Sequence, residues 1–138
     1  MAQKTSPQPA KQSAAKAYNL FNLVNFTIGA KAANTINVAL QLQDARGQNI
    51  AQIAHAEFYL SANADGSTFT GTATTSALAV HTNGVLLDIL VTGKMASFIT
   101  NASGQVDFDI IQTASPVTYY LAVMMEDGSI IVSPAITF

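Results

Sequence analysis

Apolar and polar residues alternate with a period of two along much of this chain. Ile36, Val38, Leu40 and Leu42 interleave with Asn37, Ala39, Gln41 and Gln43, and Val106, Phe108 and Ile110 with Gln105, Asp107 and Asp109. Successive side chains of an extended strand point to opposite sides, so each segment predicts a strand with one buried face. From Phe26 onward such runs recur between Gly, Asn, Asp, Ser and Pro at intervals of about 8–12 residues, the spacing of a sandwich or barrel. The predicted strands are 26–28, 36–43, 53–61, 67–75, 78–81, 85–92, 96–100, 106–112, 118–126 and 130–137. Turn chemistry separates them. Asn83-Gly84 predicts a two-residue hairpin between the strands on either side, and Glu126-Asp127-Gly128-Ser129 another. Asp44-Ala-Arg-Gly47 and Asn101-Ala-Ser-Gly104 set Asp or Asn three residues before Gly, as type I turns prefer.

The first 25 residues do not share this pattern and are predicted to form an arm, residues 1–25, ahead of one all-β domain, residues 26–138. Residues 1–16 are rich in Pro, Gln, Ser, Lys and Ala, a composition that buries too little to offset its own ordering entropy. In residues 17–26 Asn19, Asn22 and Asn25 recur every third position among apolar neighbours. That spacing suits a short amphipathic helix or an irregular extended strip. Two roles fit: an anchor on an external partner, or a first strand packed on the same sandwich. The candidate docking residues are Lys4, Lys11 and Lys16 by charge, and Tyr18, Leu20, Phe21, Leu23 and Val24 by hydrophobicity.

Composition narrows the partner. Only 10% of the 138 residues are charged, against about 25% in an ordinary soluble domain, and such a weakly charged surface suits contact with another molecule. No run approaches the roughly 18 apolar residues of a membrane helix, and no leucine-rich stretch with a cleavage site follows the first lysines, so neither a membrane span nor an export signal is expected. With no cysteine, disulfides, thiol catalysis and Cys-ligated zinc are excluded. Lys4, Lys11, Lys16 and Lys31 stand in a segment without acids, whereas the remainder sets Arg46 and Lys94 against eight acids. A basic arm on an acidic body points to a negatively charged partner. Four lysines without interleaved aromatics do not make a nucleic-acid surface.

Candidate chemistry is sparse. Neither His55 nor His81 has a second ligand at metal-binding spacing, so no metal or cofactor is expected. Asp107 and Asp109 share a strand face and suggest paired carboxylates, but alternation accounts for them as the solvated side of a half-buried strand. Asp65-Gly-Ser67 and Asp127-Gly-Ser129 read as turns rather than calcium loops, and the sequons at Asn25 and Asn101 carry no weight without export. No nucleophile elbow, phosphate loop or dinucleotide fingerprint occurs. No catalytic residue and no small-molecule substrate are therefore expected.

The order of several segments resembles bacterial immunoglobulin-like domains of the invasin and intimin type and, more closely, the small Ig-like structural proteins of tailed bacteriophages. The carriers are Ile36–Ala51, Ala56-Glu-Phe-Tyr-Leu-Ser61, Ile99-Thr-Asn-Ala-Ser-Gly104 with Val106 and Phe108, Thr118-Tyr-Tyr-Leu-Ala-Val123, and Ser133-Pro-Ala-Ile-Thr-Phe138. Asn101 stands where that family more often has Asp, which preserves the turn because Asn also accepts the capping hydrogen bond. The resemblance implies an immunoglobulin-like β-sandwich with an extended, partly helical or irregular arm. It further implies a non-enzymatic docking module, on a virion or in a cell-surface array. Without an export signal the virion is favoured, assembled in the host cytoplasm. The expected role is a homo-oligomeric head decoration or cement protein on the major capsid protein or another virion protein. Alternatives are a neck, tail or fibre component, and a surface module that binds carbohydrate or a receptor through its loops.

Overall fold

The computed structural model describes residues 21–125 and 127–138, and these form two antiparallel sheets and no helix. The strands are β1 (Leu23–Ile28), β2 (Thr35–Gln43), β3 (His55–Ser61), β4 (Ala79–Val80), β5 (Val85–Val91), β6 (Met95–Ile99), β7 (Gln105–Ile111), β8 (Thr118–Met124), β9 (Ile130–Val132) and β10 (Ile136–Thr137). One sheet has the order β1-β2-β7-β4; the other runs β10-β8-β3-β6-β5, with β9 also pairing β8. The two edge pieces β9 and β10 share β8 as partner, and the Ser133-Pro134 step separates them because proline lacks the N–H that would continue the ladder.

The alternation seen in the sequence is the alternation of burial. Ile36, Val38, Leu40 and Leu42 of β2 and Val106, Phe108 and Ile110 of β7 face Ala56, Phe58 and Leu60 of β3 and Phe98 of β6 across the core. Phe108 brings the layers together, its ring 4.6 Å from that of Phe58 and 5.5 Å from that of Phe98. Each such fully buried side chain contributes roughly 1.5–3 kcal/mol relative to exposure, so this aromatic cluster and the aliphatic rows around it hold sheet on sheet.

Three sequence expectations change. The segment 67–75 is not a strand. It touches β3 through a single bridge, Ser61 to Phe69, and ends with Thr75 N–H donating to the Ile111 carbonyl of the other sheet. A segment that crosses between layers cannot run straight, and its threonines bend it: Thr70 Oγ1 accepts from Thr72 N–H, and Thr74 Oγ1 donates to the Ser76 carbonyl. Asn83-Gly84 does not close a hairpin either, because β4 pairs β7 and β5 pairs β6. The turn carries the chain from one sheet to the other. Gly84 has φ +83° while Asn83 lacks the positive φ of the expected turn, and a Cβ on Gly84 would lie 2.7 Å from Val106 Cγ2. Finally, β1 begins at Leu23, so a boundary after residue 25 falls inside a strand.

The other turns form as read. Gly47 N–H donates to the Asp44 carbonyl and Gly104 N–H to the Asn101 carbonyl, each at 3.0 Å. In both, the side-chain oxygen of the first residue accepts from two further backbone N–H groups.

Candidate functional site

Among the described residues, exposed apolar side chains concentrate on strand β5, Val85-Leu-Leu-Asp-Ile-Leu-Val91. Its aliphatic and β-branched residues favour extended backbone, but among the described residues it lies at a sheet edge with β6 as its one ladder partner. The facing sheet ends there in the two-residue strand β4, too short to cover it. Val85, Leu87, Ile89, Leu90 and Val91 are consequently between 36% and 58% exposed, while Leu86 packs against the core. Two irregularities in the β5–β6 register set Leu87 with Asp88 against Ser97, and Leu90 with Val91 against Met95. Such bulges place two residues opposite one and bring extra side chains onto one face. The register then leads from Val91 to Met95 and on to Tyr59, whose ring lies 6.1 Å from that of half-exposed Phe69. Lys94 Nζ stands 5.7 Å from the Phe69 ring centroid. An aliphatic edge thus continues toward an exposed aromatic, with Asp88 at its centre.

The docking residues expected in the arm divide. Lys4, Lys11, Lys16, Tyr18 and Leu20 lie outside the described residues. Phe21 and Val24 do not offer a docking surface: both are buried in the sandwich core, because Asn22 N–H and β1 pair with β2 and turn these side chains inward. They follow the alternative of a first strand packed on its own domain. Leu23 points the other way and is 37% exposed.

A polar cluster covers the outer face of the other sheet. Asp107 is 7% exposed, which corrects its reading as a solvated residue. Its Oδ1 accepts from the N–H groups of Asn83 at 2.6 Å and Thr82 at 3.1 Å, and its Oδ2 from Asn37 Nδ2 at 3.2 Å. The same amide donates to Asp109 Oδ1 at 3.0 Å, and Asp109 Oδ2 lies 2.7 Å from His81 Nδ1. Burial pushes the Asp107 carboxyl up, but the Asn83 and Thr82 N–H bonds, the Asn37 amide and nearby His81 outweigh it and hold the group below its ordinary value of 3.8. The arrangement pins the inter-sheet turn to β7, and both carboxylates are engaged in holding structure. Beside it a shallow depression of about 150 Å³ lies over Ala39, rimmed by Asn25, Thr27, Gln41, Gln105 and Asp107. His55, on β3, is exposed and apart from this cluster. Among the described residues, no group of three or more His, Cys, Asp or Glu could hold a metal ion.

The remaining turn acids act locally. The Gln48 N–H, working against slight burial and with Arg46, holds Asp44 below its ordinary value; Ser67 does the same for Asp65, and Ser129 for Asp127. The aliphatic edge was readable as a strand, but its exposure was not, since the seven residues alone do not say which neighbours they have. Compared with known proteins, the chain matches no family model and no curated protein.

Proposed function

We propose that this chain is a non-enzymatic structural protein of a tailed-phage virion, an immunoglobulin-like sandwich that decorates the capsid and docks through the β5 edge together with its N-terminal arm. The observation that carries the reading is the exposed β5 edge, an apolar strip of a kind that marks contact sites. The resemblance of the order of sequence segments to that of phage Ig-like proteins supports the virion setting. Structural engagement of Asp44, Asp65, Asp107, Asp109 and Asp127 supports a scaffold rather than a catalyst.

The test is co-sedimentation of the full chain with capsids of the phage that encodes it, beside Leu87→Asp. Saturable binding at a multiple of the capsomer number, weakened at least about tenfold in the variant, is expected from loss of a buried leucine. A handful of copies per particle would move the protein to the neck, tail or fibre. Undiminished binding of a folded Leu87→Asp would remove β5 from the contact.

A second reading, a carbohydrate- or receptor-binding module, is favoured by Phe69. This aromatic stands exposed in a loop beside Asn63, Ser67 and Thr68, where a strand was expected. Glycan-array binding lost in Phe69→Ala would support it.

A further inference from the structure

We propose that the occupant of the β5 edge is a second copy of this chain, with the two β5 strands antiparallel about a two-fold axis at Asp88. The inference rests on the reading of β5 as a contact surface and names its partner. A two-fold interface is isologous: residue i meets residue j, and j meets i. For an antiparallel strand pair this requires a segment that reads alike in both directions, and β5 does. Val85 mirrors Val91, Leu86 mirrors Leu90, Leu87 mirrors Ile89, and Asp88 falls on itself. An unlike partner imposes no such relation on a sequence.

Two of the three mirrored pairs, Val85 with Val91 and Leu87 with Ile89, are uncovered on both sides of Asp88, whereas Leu90 is exposed and its mate Leu86 packs against the core, on a strand whose one ladder partner among the described residues is β6. The two bulges break the even spacing of backbone groups that unlimited strand addition requires. Side chains therefore carry the contact, and it closes at two copies. Asp88 limits its strength, because like charges directly opposite one another on paired strands repel.

Sedimentation equilibrium on the full chain tests this, with cysteine cross-linking as a second readout that the absence of native cysteine makes clean. Wild type is expected to show a concentration-dependent monomer–dimer equilibrium. Leu87→Asp should weaken it at least about tenfold, and Asp88→Asn should tighten it roughly two- to fivefold by removing the central repulsion. Asp88→Cys should oxidise to a disulfide-linked dimer, since a two-fold axis there brings the Cβ atoms together. Ala135→Cys, between β9 and β10 at the opposite edge of the sheet, should not. A wild type that stays monomeric up to its solubility limit, or cross-linking at 135 as fast as at 88, overturns the proposal. If the protein is monomeric yet Leu87→Asp still loses capsid binding, self-association fails and docking through β5 stands. If Leu87→Asp abolishes the dimer and capsids bind it as well as wild type, self-association stands and docking through β5 fails.

Discussion

Asp107 and Asp109 sit two residues apart on the same face of β7, yet replacing each with alanine should have unequal consequences. Asp107→Ala removes the acceptor of two backbone N–H groups and of the Asn37 amide. Hydrogen bonds to a charged acceptor are worth roughly 1.5–3 kcal/mol each, and a buried donor left unpaired costs about 1–3 kcal/mol. Thr82 is exposed, so water replaces its partner, whereas Asn83 is only partly accessible. The net loss is expected to be about 2–3 kcal/mol. Asp109→Ala breaks a surface contact with His81 and one Asn37 bond, for about 0–1 kcal/mol. Equilibrium urea unfolding at pH 7 measures both. Because the folded-state pKa of Asp107 lies below its unfolded value of 3.8, its contribution is fully present above that value and is lost as pH falls through the lower native one. The gap between Asp107→Ala and wild type should therefore narrow by pH 3, and Asp107→Asn should lack this part of the pH dependence. Alanine variants within about 0.5 kcal/mol of each other at pH 7 would refute the claim that Asp107 pins the inter-sheet turn.

Phe108→Ala, at the meeting point of three rings, should cost about 3–5 kcal/mol by urea titration; a loss below about 1.5 kcal/mol would mean that the core collapses onto the gap. Gly104→Ala should cost at least about 2 kcal/mol, since it combines φ +74° with a collision between the new Cβ and the Ile50 carbonyl oxygen. Gly47→Ala, at φ +80° in open space, should cost only about 1 kcal/mol, and equal losses would contradict the packing of the 44–54 loop on the Asn101 turn. Deleting residues 1–20 should leave a cooperative thermal transition near that of the full chain. Deleting 1–24 should lower it markedly, because Phe21 and Val24 leave the core.

Strands were legible where one face is buried and the other solvated, as in β2 and β7, because a period of two is a local property of the chain. The Asp44–Gly47 and Asn101–Gly104 turns were legible for the same reason: a side-chain oxygen three residues before glycine makes its hydrogen bonds within five residues. What depends on distant partners was not. The stretch 67–75 has strand-like composition, but it spans two layers and its hydroxyls satisfy its own backbone. Asn83-Gly84 has hairpin residues, yet the flanking strands find partners in different sheets. Asp107 and Asp109 look alike in sequence, and only the arrival of the turn at Thr82 and Asn83 buries one of them. Above all, Val85–Val91 reads as a strand but carries no local mark of being at an edge. Its exposure follows from the shortness of β4 and from the two bulges against β6.

The most direct measurement of the central claim, that this chain is part of a virion, is its copy number in purified particles of the proposed phage, by quantitative mass spectrometry against the major capsid protein. A decoration role predicts a fixed stoichiometry at a multiple of the capsomer number, lost from particles assembled with Leu87→Asp. Absence of the chain from the virion would contradict the account.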